Sequence, residues 1–409
     1  MKTTKNLFFL LAFSLIAFNC SSDDDNTTDD DGGNTNDLIQ KSGILTEDET
    51  WTSNNIYQLN GKVVVNDGVT LTIEAGTIIK GAEGQESLAS ALVVDQGGKV
   101  MAEGTASNPI IMTSILDNIT VGQTAGTNLN QADTGYWGGL IILGRAPISV
   151  SGDVETAQIE GIPATEPYGQ YGGTISNDNS GVYKYISVRH GGITIGDGNE
   201  INGITMGGVG NGTTMENLEV VANQDDGFEW FGGTVNGTNF ITWAHGDDGL
   251  DADQSWSGTM TNAVVIQTSE SGSPLELDGP EGSAATEAGY TFNNITLIGD
   301  AATSHFTDCR DGLIANLNNI LVYNFGATSD IRFNDEDTQT ELAADRLTFS
   351  NWEIVLPTGV ALADIIDGAN GNEAKFSDNV TTIENSAAAT VGANTTVFGW
   401  TYAASQNAF

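Results

Sequence analysis

The chain has 409 residues, with 54 acidic and 13 basic side chains and a formal net charge of −41. Its hydrophobic fraction of 39% is too high for a wholly disordered chain, and no internal stretch reaches the ~20 apolar residues of a membrane-spanning helix. A surface this acidic repels phosphate backbones and anionic headgroups, which argues against nucleic acid as a partner.

Residues 1–19 read as an export signal. Lys2 and Lys5 precede Leu7 to Phe18, an apolar run broken only by Ser14. About 12 apolar residues are too few to span a bilayer and fit the core of a secretion signal. Cys20 follows at once, then Ser21, Ser22, Asp23, Asp24 and Asp25. The arrangement resembles a bacterial lipoprotein signal, although Ala17, Phe18 and Asn19 stand where small residues are usual. The Ser-Ser-Asp-Asp-Asp run resembles the export tag of Bacteroidetes surface lipoproteins. That resemblance implies lipidation of Cys20, an outer-membrane and cell-surface location, and contact with the membrane through the lipid alone. Residues 20–37 read as an acidic, disordered tether: positions 21–37 hold seven Asp and no apolar residue. With Cys20 lipidated, Cys309 has no intramolecular partner, and it reads as a small buried hydrophobe.

Residues 38–409 change character. Short apolar, β-branched runs alternate with Gly, Asn and Asp: Val63–Val65, Val69–Ile73, Leu92–Val94, Ile110–Thr113, Leu140–Leu143, Leu218–Val221, Ala263–Ile266 and Ile320–Tyr323. Each is a short strand bounded by turn formers, and no stretch shows helical periodicity. Motifs recur. Glu74-Ala75-Gly76-Thr77 returns as Ala102-Glu103-Gly104-Thr105, 28 residues on. Asp225-Asp226-Gly227-Phe228-Glu229 returns as Asp247-Asp248-Gly249-Leu250-Asp251, 22 residues on, with a weaker echo at Arg310-Asp311-Gly312-Leu313. Such periods belong to a solenoid with several strands per turn.

Five phrases then carry a family resemblance: residues 71–81, 97–105, 109–114, 136–144 and 185–192. They resemble right-handed parallel β-helix proteins of the pectin-lyase-like superfamily, and within it a group of exported bacterial lipoproteins without an assigned function. The expectation is an all-β, single-stranded right-handed parallel β-helix of roughly 12–15 rungs. Its inward residues would stack on like residues one rung away, and glycines would serve its tight corners. A first cap is expected to begin at Trp51–Tyr57, with final rungs and a second cap from about Leu342.

The densest chemistry lies at 225–256. Asp225, Asp226, Glu229, Asp247, Asp248, Asp251 and Asp253 are interleaved with Phe228, Trp230, Phe231, Phe240, Trp243 and Trp256, and His245 precedes the second Asp-Asp-Gly. Three readings follow. In the first, Trp230, Trp243, His245 and Trp256 bind a glycan, and paired acids among Asp225, Asp226, Asp247 and Asp248 could hydrolyse it. In the second, Asp247, Asp248, Asp251 and Asp253 hold Ca²⁺, a hard cation that takes oxygen ligands, and stabilise a structural or adhesive protein. In the third, Asp-Asp-Gly is a corner sequence whose Asp caps backbone amides and whose Gly is left-handed. A polysaccharide lyase of this fold would use an Arg or Lys base with Ca²⁺ neutralising a uronate, and Arg189 and Arg310 are the candidates. His190, His245 and His305 are too far apart in the repeat to share one metal. The leading expectation is a non-catalytic extracellular protein that binds a glycan or another extended ligand. The setting of the family implies an outer-membrane transporter as its partner.

Overall fold

A computed structural model describes residues 38–84, 88–196 and 199–409. The expected signal (1–19), the lipidation site Cys20 and the tether (20–37) lie outside the described residues. No helix among the described residues is long and apolar enough to cross a membrane.

Each turn of the chain adds one strand to each of three stacks, and every pairing between rungs is parallel. In the first sheet Thr70–Ile73 pairs with Lys99–Glu103; in the second Ile78–Gly81 pairs with Ile110–Ser114; in the third Ala91–Val94 pairs with Leu140–Leu143. The second sheet continues from Leu38 to Thr382. This is the expected parallel β-helix. It begins at Leu38, ahead of Trp51, whose ring stacks on Tyr57 inside the coil at 4.8 Å.

Strands buried on their inner face need apolar residues in register. One inward column of the third sheet runs Val94, Ile142, Met206, Trp230, Ala252, Leu277, Cys309 and Phe333. All of them are buried. Cys309 is therefore the small core residue the sequence implies. Burial, then the charge of Asp308, pushes its thiol well above the ordinary range. Its reaction with a thiol reagent is expected only after unfolding; rapid modification of the folded protein would contradict this placement.

The outer face of the same sheet explains where chemistry can sit. Val64, Val93, Ile141, Thr205, Glu229, Asp251, Glu276, Asp308 and Arg332 form one outward column. Its first members lie under the insertion that carries Ile159, Ile162 and Tyr171 and under the hairpin that carries Ile193 and Ile201. Apolar residues suit that covered part. Beyond the cover the column turns acidic.

Two corner types organise the coil. Between the first and second sheets Asn217, Asn239 and Asn262 are left-handed, with φ of 58°, 61° and 67°. Asn239 Nδ2 donates to Asn217 Oδ1 at 3.0 Å, and Asn262 Nδ2 to Asn239 Oδ1 at 2.7 Å. Asn tolerates this conformation, and stacking satisfies its amide. Between the second and third sheets the Asp-Asp-Gly units stack as expected, but Gly227 and Gly249 are not left-handed. Close approach selects them instead: a Cβ on Gly227 would lie 2.4 Å from Thr242 Oγ1, and one on Gly249 2.4 Å from Val265 Cγ1. The Arg310-Asp311-Gly312 echo falls on another corner, after its third-sheet strand rather than before it.

Helices Glu336–Ala343 and Glu373–Ser377 close the last rungs, with Phe376 packed against Phe349 and Trp352. The segment beyond them is not part of the expected end cap. It runs back along the outer face of the second sheet. Asn394 N donates to Asn262 Oδ1 at 2.6 Å, and the amides of Tyr402 and Ala403 donate to the fully buried Glu219 at 3.0 and 2.8 Å.

Candidate functional site

The two Asp-Asp-Gly corners bring their acids together across one rung. Asp248 N donates to Asp226 Oδ1 at 2.8 Å, and Ser273 N donates to Asp248 Oδ1 on the following rung. The capping role expected of these aspartates is present. The next four residues then enter the third sheet, which places Glu229 beside Asp251 and Asp251 beside Glu276 on the outer face. In the adjacent column Phe231 precedes Asp253, and Asp278 pairs with Arg310.

Two sets of three carboxylates converge so that their oxygens lie within 4.8 Å of one another: Asp225, Asp226 and Asp247 at the corner, and Asp226, Glu229 and Asp251 beneath it. The set read from sequence as a calcium centre, Asp247, Asp248, Asp251 and Asp253, does not converge among the described residues. Asp248 is held by the Ser273 amide, and Asp253 stands in the second column.

Burial raises the proton affinity of this face, and mutual repulsion adds to it. Asp225 is pushed up to about 8 by burial and then by the charges of Glu160, Glu200 and Asp247. Glu276 is pushed up to about 7 by burial, with Arg310 opposing. Glu160, which reaches the cluster from the insertion, is likewise raised to about 7, chiefly by burial. Asp226, Glu229, Asp248, Asp251 and Asp253 are all held well above the carboxylate range by burial first and neighbouring acids second.

The aromatic part of the site is corrected by the structure. Trp230 and Trp256 are 0% exposed. They stack on each other inside the coil at 4.7 Å: Trp230 is on the inward side of its strand, and Trp256, in the turn after Leu250–Asp253, packs into the same core. Neither can stack on an external sugar. Trp243 faces outward but is half-buried beneath the returning C-terminal segment, 6.4 Å from Tyr402. His245 is buried and reaches only the wall of a groove. Its Nδ1 lies 3.2 Å from Thr242 Oγ1 and its Nε2 lies 3.1 Å from Gln267 Nε2. Burial holds it low, at about 3, so it is neutral at physiological pH.

The candidate lyase bases are both committed to ion pairs. Arg189 is buried 3.8 Å from Glu219, with its guanidinium over the Tyr402 ring. Arg310 binds Asp278 at 2.9 Å and Glu276 at 2.6 Å. The neighbouring Asp308 is taken by Arg332.

Grooves flank the second Asp-Asp-Gly. One, of about 650 Å³, is lined by Gln131, Thr134, Asn223, Gln224, His245, Thr268, Ser269 and Glu270. The other, of about 260 Å³, is lined by Asp247, Asp248, Ser273, Glu276, His305, Asp308, Arg310 and Arg332. The first is a surface of amides and hydroxyls with two alanines, a single carboxylate, the neutral imidazole of His245 and no Lys or Arg. The second carries both charge signs.

The family model of the pectate-lyase-like beta helix domain matches residues 43–404. The chain belongs to that family. No curated protein and no solved structure matches it. Within this pectate-lyase-like β-helix, several residues of the acidic face escaped the sequence reading: Glu160, Asn202, Glu276 and Asp278. Three of them carried a signal. Leu275-Glu276-Leu277-Asp278 repeats the alternation of Leu250-Asp251-Ala252-Asp253, and Asp308 continues it. Asn202 carried the third, since Asn202-Gly203-Ile204 is in register with Asp226-Gly227-Phe228; Glu160 comes from an insertion, where no repeat could point to it.

Proposed function

We propose that this β-helix is a non-catalytic extracellular binding protein whose ligand is rich in hydroxyls and uncharged, as a neutral glycan is. The larger groove supports this reading. Its amide and hydroxyl lining offers donors and acceptors to a polyol. Its lack of a cationic lining residue and the acids beside it disfavour a polyanion. The state of the corner acids argues against hydrolysis: Asp226 and Asp248 are buried and accept the backbone amides of Asp248 and Ser273. In the same proposal the export signal and Cys20 place the protein on the outer membrane by a lipid anchor, beside a transporter.

Ala132 is exposed on the wall of the larger groove. Glycan-array binding by the full-length protein, with Ca²⁺ and with chelator, tests the reading. A neutral glycan is expected to be retained intact, and Ala132→Trp, which fills the groove, is expected to weaken it at least tenfold without lowering the melting temperature. Equal retention by Ala132→Trp, or shortening of the bound glycan, would defeat the proposal.

A further inference from the structure

We propose that Asp226, Glu229 and Asp251 form a buried site for a hard divalent cation of the calcium class, which ties two successive rungs together. This inference is independent of the glycan reading and concerns a different set of side chains from the grooves. The three acids are 7%, 6% and 7% exposed, and their carboxylate oxygens lie within 4.8 Å of one another. None of the described ion pairs involves them. Three negative groups at this separation below the surface cannot all be ionised without a neutralising partner. A second observation points to an ion. Asp251 Oδ1 is buried and has no hydrogen-bond partner. Asn202, 1% exposed, also has an unpartnered Oδ1, while its Nδ2 donates to Glu229 and, at 3.1 Å, to Glu160. Turning that amide over would present a fourth oxygen to the same centre.

The donor set selects the ion. Carboxylate and amide oxygens without His or Cys suit calcium, which accepts irregular shells of 6–8 oxygens, and do not suit zinc. Magnesium demands a tighter octahedron and keeps most of its water, which a closed site excludes. Asp226 Oδ1 is already occupied by the Asp248 amide, so Oδ2 is the oxygen free to ligate. Asp226 and Glu229 belong to one rung and Asp251 to the next. The ion would therefore clamp the coil at the point where its outer column passes from apolar to acidic. This differs from the calcium of a lyase, which bridges a surface carboxylate set to an anionic substrate.

Calorimetric titration of the full-length protein with Ca²⁺, and thermal melts with and without chelator, test the site. Tb³⁺ adds a direct readout, because Trp230 follows Glu229 in the chain and can sensitise its emission. Wild type is expected to bind Ca²⁺, to melt several degrees higher with it, and to give Tb³⁺ emission that Ca²⁺ displaces. Asp251→Asn, of nearly unchanged volume, is expected to weaken binding at least 100-fold; Glu229→Gln serves if the first variant does not fold. Asp247→Asn, outside the trio, is expected to bind as wild type does. No binding by wild type, undiminished binding by both trio variants, or loss on Asp247→Asn would overturn the assignment.

Discussion

Trp230→Ala is expected to destabilise the fold by about 3–5 kcal/mol, read as a shift in the urea midpoint of the full-length protein. The ring is 0% exposed and sits between Trp256, at 4.7 Å, and Phe240, at 6.1 Å. Below it in the column is Ala252, too small to fill the space. Backbone ladders on both sides fix the strand, so the site cannot collapse around the loss. Trp256→Ala should cost at least as much, because Trp256 Nε1 also donates to Val235 O at 3.0 Å. The two losses should not add, since each variant already removes their mutual stacking. A cost below about 1 kcal/mol for Trp230→Ala would mean that the ring is not a core residue, and the sugar-platform reading would return.

That result would mark where sequence legibility ended. The coil itself was readable, because short β-branched runs and Gly-centred motifs recur at a period that only stacked rungs explain. The stacking of Asp225-Asp226 on Asp247-Asp248 was readable for the same reason. The side of the sheet was not. In Phe228-Glu229-Trp230-Phe231 aromatic residues occupy both faces: Phe228 and Trp230 point inward, while Phe231 packs outside against Tyr171 at 6.0 Å. A run apolar on both faces gives no alternation to read. The path of the last residues was equally hidden. Nothing local in Thr401-Tyr402-Ala403 predicts that two of its amides reach Glu219, 183 and 184 residues away. Gly227 illustrates a third limit. Its presence was correctly read as a corner, yet the cause is contact with the next rung and not backbone handedness.

The acidic face also makes the fold sensitive to pH, with a sign opposite to that of an ion-paired carboxylate. The metal-free protein is expected to melt highest near pH 4 and to lose roughly 5 °C or more by pH 8.5. Asp225 is held at about 8, and Glu160 and Glu276 at about 7, each first by burial. The folded chain therefore keeps protons that the unfolded chain releases near pH 4. As pH rises through that window the unfolded state is favoured, and the stabilisation is gone once pH passes the folded values. His245 works in the other direction. Held at about 3 by burial, it excludes a proton that the unfolded imidazole takes up below about 6.5, so it erodes stability on the acid side. One imidazole opposes several carboxylates, and the maximum falls where the carboxylate gain is nearly complete. Melts from pH 4 to 9 in chelator decide the matter: a melting temperature that is flat or rises toward pH 8.5 would show that these acids are ionised and compensated in the folded chain. Excess Ca²⁺ should raise the alkaline limb most, because an ion that binds only the folded state takes the place of protons that are scarce there.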